Sequence, residues 1–306
     1  MRIALAFVAL SLRAADFAEV EALADGGHWK RAKALLESRR APKDARWLWL
    51  ASRVKLAFSE LDDAVKLGEK AAALDPRQAE YQYHLAEVHG TIAYRAPIWK
   101  QLGPGRRCKK AMDAAYALDP AHVENLFILM QYYQRAPGFL GGDKARAVSL
   151  ANEIGKIDPA RGWLARATLA ALSKDAAARE HAIRKAVNTN PGHFRARLEM
   201  AALLRGRGAW IEVREHARAA AAIHPGRVEP HGLLAATAVH LGGLDEALSE
   251  AAKAVPDDAS PLLSAAGELA AQGKDARPLV ERYLAQTPEA GAPSHDDARK
   301  LLERKR

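Results

Sequence analysis

Residues 70–76 read "KAAALDP", and the phrase returns in altered form as "AAYALDP" at 114–120, "IGKIDP" at 154–159 and "AAAIHP" at 220–225. In each, an apolar helix end meets a Pro, which has no backbone N–H and cannot continue a helix without losing a hydrogen bond. Each therefore marks where one helix stops and another approaches. Working outward, Pro stands at 42, 76, 120, 159, 191, 225, 256 and 288, at intervals of 34, 44, 39, 32, 34, 31 and 32. A period of this size, kept over most of a chain, points to stacked helix pairs that hide their apolar sides against neighbouring pairs.

Composition agrees. The 306 residues are 49% hydrophobic and 27% charged, enough apolar surface for an extensive core. Aromatics are few, Ala is abundant, and no run of alternating β-branched residues suggests a sheet, so the fold class is all-α. Small residues recur with four-and-three spacing: Ala64, Gly68 and Ala71; Val213, Ala217 and Ala220; Ala247, Ala251 and Ala254. That spacing puts each trio on one helical face, where a partner helix can approach closely.

Further details carry a family resemblance. Leu85-Ala86 stands where a Leu-Gly pair is expected, Tyr133 fills an aromatic position, and "GGLDEA" at 242–247 reads as an inter-helix turn. "RGAWIEV" and "GGHWKRA" give the same turn with Trp210 and Trp29 in the aromatic slot. Over about 16–289 the chain resembles the tetratricopeptide repeat (TPR) family. The resemblance implies a right-handed superhelical solenoid of about eight helix-turn-helix units. The units run from Asp16 to about Asp44, then over 45–78, 79–120 and 121–159, and end thereafter at Pro191, Pro225, about Asp258 and about Glu289. "TPEAGAP" is a linker, and "HDDARKLLERKR" within 290–306 reads as a capping helix with Ser294 as N-cap and Asp296 and Asp297 in its first turn. Between 91 and 159, "CKKAMDAAYALDP" followed by "APGFLGGDKARA" is similar to exported bacterial TPR proteins.

The N-terminus, "MRIALAFVALSLRAAD", has a single basic residue, Arg2, an apolar run from Ile3 to Leu12 and a small-residue exit at Ala14-Ala15. It predicts a cleaved export signal over 1–15 and a periplasmic or secreted protein, since ten apolar residues are too few to span a bilayer. An apolar first helix of the array is the other reading. Cys108 is the only Cys, which rules out an intrachain disulfide and a Cys-based metal site, and no Cys beside Ala14 offers a lipid anchor.

Two units are longer than the rest, and each carries an insertion: "TIAYRAPIWKQLGPGRR" at 91–107 and, within "QRAPGFLGGDKA", residues 135–144. By the resemblance, both fall in the turn between first and second helices and emerge on one rim. From Val88 to Met112 there is no acid, while Arg95, Lys100, Arg106, Arg107, Lys109 and Lys110 are basic and Tyr94 and Trp99 lie among them. Such a segment can hold an anion or a stacked ring, or form a solvated second helix broken near Pro104. "APGFLGGDK" lacks phosphate-loop spacing; it reads as a tight turn with Asp143 capping the next helix.

The resemblance also implies that first helices line a concave surface. Projecting positions there are Arg46, Trp49 and Arg53; Tyr83 and Glu87; and Phe127, Gln131 and Arg135, a lining suited to a protein or peptide partner. With Arg95 and Trp99 of the rim, these are the candidate binding residues. The formal charge of +9 leaves an alternative, a cytoplasmic regulator that binds nucleic acid or another anion through 95–110. The eleven His have no metal-ligand spacing, and no nucleophile or dinucleotide motif occurs, so neither cofactor, metal nor catalysis is expected. Basic neighbours could lower the pKa of Cys108, although a lone Cys on a repeat helix suits packing better.

Overall fold

A computed structural model describes residues 17–38, 44–254 and 258–303. The expected export signal over 1–15 lies outside the described residues, as do Pro42 and Pro256. Every regular element among the described residues is helical. Internal packing divides the chain into two compact units, one ending at Leu129 and the other beginning at Met130.

The first unit contains α1 (17–25), α2 (Trp29–Ser38), α3 (Ala45–Ala57), α4 (Leu61–Leu74), α5 (Ala79–Arg95), α6 (Leu102–Leu118) and the start of α7 (Val123–Arg135). Consecutive helices pair by folding back along each other: Ser52 of α3 meets Ala64 of α4, and Ala86 and Gly90 of α5 meet Cys108 of α6. The small-residue trio of α4 is buried, with Ala64 and Ala71 fully enclosed. Larger side chains fill the remaining space: Leu50, Val88, Met112 and Leu126 are all but inaccessible, each contributing about 1.5–3 kcal/mol by leaving water. Pro76 and Pro120 stand in the turns after α4 and α6, as their helix-ending role requires.

The second unit contains the rest of α7, then α8 (Lys144–Ile157), α9 (Pro159–Leu172), α10 (Ala176–Thr189), α11 (Phe194–Arg205), α12 (Trp210–Ile223), α13 (Glu229–Leu241), α14 (Leu244–Ala252), α15 (Ser260–Ala271), α16 (Arg277–Leu284) and α17 (His295–Glu303). Here α9 pairs with α10, α11 with α12, α13 with α14, and α13 also packs along α15. The trios Val213, Ala217, Ala220 and Ala247, Ala251, Ala254 are buried in these interfaces. Pro159 departs from its expected role: it opens α9 at the first helical position, where a missing N–H costs nothing. Asp158 alone separates α8 from α9, ending one helix and capping the other by accepting from the Arg161 amide at 2.9 Å. At this junction a Cβ on Gly162 would lie 2.3 Å from the Gly155 Cα, so the backbones touch where no side chain fits. Ser294 caps α17, its Oγ accepting from the Asp297 amide at 3.1 Å while Tyr283 donates to the Pro293 carbonyl.

Five of the regular turns between first and second helices share one geometry; the turn between α13 and α14 differs, its positive φ lying at Gly243, whose own amide reaches the Ala238 carbonyl. The amides of His28, Glu60, Asp175, Ala209 and Lys274 each reach back five residues to a helix carbonyl, and the residue before each has positive φ: Gly27, Ser59, Lys174, Gly208 and Gly273. Both enlarged turns abandon this closure. After α5 the chain leaves through extended Ala96 and Pro97 into a 3-10 turn, Ile98–Lys100; after α7 it leaves through Pro137 into another, Gly138–Leu140.

Candidate binding surfaces

The first-helix candidates of the first unit lie in contacts between successive first helices. Arg46 of α3 pairs with Glu21 of α1 and covers the Phe17 ring at 5.7 Å. Arg53 pairs with Asp25 at 2.6 Å and lies 4.9 Å from the Trp49 ring centre and 5.9 Å from that of Trp29. Trp49 does not project. It is buried, with its ring 5.8 Å from that of Tyr81 on α5, because the apolar indole joins the two first helices rather than meeting water. Tyr83 donates to Glu87 at 2.9 Å and lies 4.9 Å from the His122 ring. Burial, then the Glu87 charge, pushes the Tyr83 phenol well above its ordinary range. His122 bonds Glu80 at 2.7 Å, and that bond raises its pKa. Phe127 is half-buried on α7. In the second unit Gln131 is half-buried and Arg135 exposed. The structure therefore joins Arg46, Trp49 and Arg53 through the neighbouring first helices, and adds Phe17, Trp29, Tyr81 and His122, which lie roughly one repeat away in sequence.

The four most exposed large apolar side chains among the described residues lie in or beside the enlarged turns. Tyr94, Ile98 and Trp99 are 84%, 79% and 78% exposed, and Phe139 is 87% exposed. The two turns repeat a short phrase, "RAPIW" at 95–99 and "RAPGF" at 135–139. In both, an exposed Arg ends the first helix, Ala and Pro leave it, and a 3-10 turn carries an exposed ring two residues after the Pro. Helix α6 then runs unbroken from Leu102. Pro104 does not interrupt it, because it sits in the first turn, where amides need no helical partner. As expected, Asp143 caps α8, accepting from the Arg146 amide at 2.9 Å, and Gly141 supplies the left-handed step at φ 83°.

One buried cluster imitates a catalytic relay. Ser52 Oγ lies 2.8 Å from His84 Nε2, and His84 Nδ1 lies 3.4 Å from Glu87. Ser52 is wholly enclosed and its hydroxyl donates to the Ala64 carbonyl at 2.6 Å, so the group ties α3, α4 and α5 together with no route for a substrate to the oxygen. Cys108 is likewise a packing residue. Its thiol donates to the Ala86 carbonyl at 3.3 Å, and burial raises its pKa to about 11, outweighing the basic residues that flank it.

Spacing did not reveal a polar ladder in the second unit. Arg205 of α11 donates through two nitrogens to Glu268 of α15, at 3.0 and 2.5 Å. His240 of α13 bonds the other Glu268 oxygen at 2.9 Å and stacks on Trp210, ring centres 3.7 Å apart. Three successive first helices are thereby cross-linked. The signal was the repeat itself, since the partners occupy similar places near the ends of their helices.

No family model matches the chain, and no curated protein matches it. Among solved structures it is similar to a monomeric IFIT1 mutant with Gppp-AAAA, at 13% identity and TM-score 0.51, covering 89% of this chain and 70% of that one. It is also similar to PilF of Pseudomonas aeruginosa (17% identity, TM-score 0.40, 68% of this chain and 89% of that). TTC0263, a TPR protein of Thermus thermophilus, matches at 18% identity and TM-score 0.43 over 68% of this chain and 98% of that one. Likeness at these identities concerns the fold, which is a TPR-type helical repeat.

Proposed function

We propose that this TPR-type chain is a non-catalytic scaffold of the bacterial cell envelope, holding a protein or peptide along the faces of its first helices. The repeat fold supports a protein-interaction scaffold in general. The finer reading is carried by the ordering of the first-helix side chains. Arg53 is held between Asp25 and two indoles, and Tyr83 between Glu87 and His122, before any partner arrives. Pre-ordered side chains lose little rotamer freedom on binding, so more of the contact energy remains as affinity. Placement in the envelope rests on the export signal expected over 1–15.

Two measurements test this. N-terminal sequencing of the protein from cells should begin just after Ala15; an intact Met1 in the mature protein would remove the envelope assignment. Affinity capture from envelope extract, with the captured protein identified and purified, should give direct binding that weakens about tenfold or more in Arg53→Glu and Glu87→Lys variants. Binding indifferent to both would move the partner off the first helices. Retention on nucleic acid, falling steeply with salt and lost on replacing Arg106 and Arg107, would favour the regulator reading instead.

A further inference from the structure

We propose that the turn between α5 and α6 is a docking tip for an anionic lipid surface, and that the turn between α7 and α8 repeats the device on a smaller scale. Tyr94, Ile98 and Trp99 project almost completely into solvent, with Leu102 45% exposed beside them. A Cβ placed on Gly103 or Gly105 would meet no atom within 4 Å, so open space lies beside both glycines in the first turn of α6. Along this segment the charge has one sign. Arg95, Lys100, Arg106, Arg107 and Lys110 are exposed and make no ion pair among the described residues, and no acid occurs between Val88 and Met112. The α6 N-terminus has no side-chain cap, so its free amides add partial positive charge at the same tip.

The occupant follows from shape and chemistry together. Side chains as exposed as these line no groove that would enclose a peptide. Nucleic acid would use flat rings and cations, but Ile98 and Leu102 would stay in water unless driven between bases. A lipid headgroup layer accepts all of it. Trp and Tyr rest at the polar–apolar boundary, aliphatic tips reach the acyl region, and Lys and Arg meet phosphate. Phe139, 87% exposed on its own 3-10 turn after exposed Arg135, has the same construction.

The test is co-sedimentation of the full chain with vesicles of phosphatidylcholine alone and of phosphatidylcholine with phosphatidylglycerol. The expected result is retention on the anionic vesicles only, weakened by salt. Tyr94→Ala/Trp99→Ala should lower that retention by at least about tenfold, and Arg106→Ala/Arg107→Ala by on the order of twentyfold at low salt. Trp99→Phe should keep retention while losing the blue shift of Trp emission that vesicles induce. All are surface substitutions, and unchanged circular dichroism excludes unfolding as the cause of a loss. The N-terminal segment is common to every variant, so retention that survives all of them is carried elsewhere and overturns the proposal. Failure to bind anionic vesicles also overturns it. So does binding of an RNA oligonucleotide, or self-association, lost with the same substitutions while vesicles are ignored.

Discussion

Ser59 and Lys174 occupy the turn position that glycine holds at Gly27, Gly208 and Gly273, with φ of 64° and 60°. A side chain there crowds the following carbonyl, at a cost of about 1–2 kcal/mol that glycine avoids. Replacing either by Gly should raise stability by about 0.5–1 kcal/mol, the relief less the added freedom of the unfolded chain; urea denaturation would read it, and a loss of stability would contradict the turn geometry. His122 sets a pH dependence. Its folded pKa lies above the ordinary 6.5, so its contribution is complete below that value and is lost as pH rises through the folded one. Buried His89 and half-buried His216 have pKa values lowered by desolvation; their contributions are complete above 6.5 and lost as pH falls through their folded values. Urea midpoints of the parent and of Glu80→Gln should therefore differ most near about pH 6 and converge near about pH 9. Sequence made the cap at Asp143 legible, because an Asp before a helix start has one obvious job. It did not reveal the burial of Trp49, since helical spacing fixes a direction only to within a residue or so, and a large ring goes wherever a neighbouring helix leaves room.

At the scale of helices and turns, the repeating Pro and the small-residue trios made the all-α repeat legible from composition and period alone. The placing of Pro159 at the head of α9 was not legible, because a Pro after Asp suits a helix start as well as a helix end. The α8–α9 contact shows how tightly the pairs can close. Gly162→Ala would drive a Cβ into backbone rather than into a yielding side chain, so it should destabilise by about 1–3 kcal/mol. Asp143→Ala should cost about 1 kcal/mol and loosen the turn that presents Phe139. Thermal melts of the two variants would check both figures. The exposed aromatic turns were legible as insertions, but the shared "RAP" exit gained its meaning only once both 3-10 turns were seen to expose a ring.

At the scale of the whole molecule, the repeat logic governs how damage spreads. Each pair leans mainly on its neighbours, so stability is approximately a sum of local pairs and the interfaces between them. The C-terminal cap shows this well: Ala298 is fully enclosed in a cluster with Leu279, Val280 and Tyr283. Ala298→Glu would bury a charge without a partner and should cost about 2 kcal/mol or more. Hydrogen exchange should then quicken through α15, α16 and α17 while α3, α4 and α5 keep their protection. Uniform loss of protection along the chain would mean that cooperativity extends further than this packing provides.

Asp158 serves two helices at once, and that economy leaves the joint no slack. One residue inserted beside it would turn α9 by about 100° about its own axis. Ala165 and Ala167 would turn out of the interface they now fill, and Trp163 and Arg166 would come round into the places of Leu164 and Ala167. Length polymorphism should therefore be tolerated in the long loops after α5 and α7 and forbidden here, where spelling and phase are one.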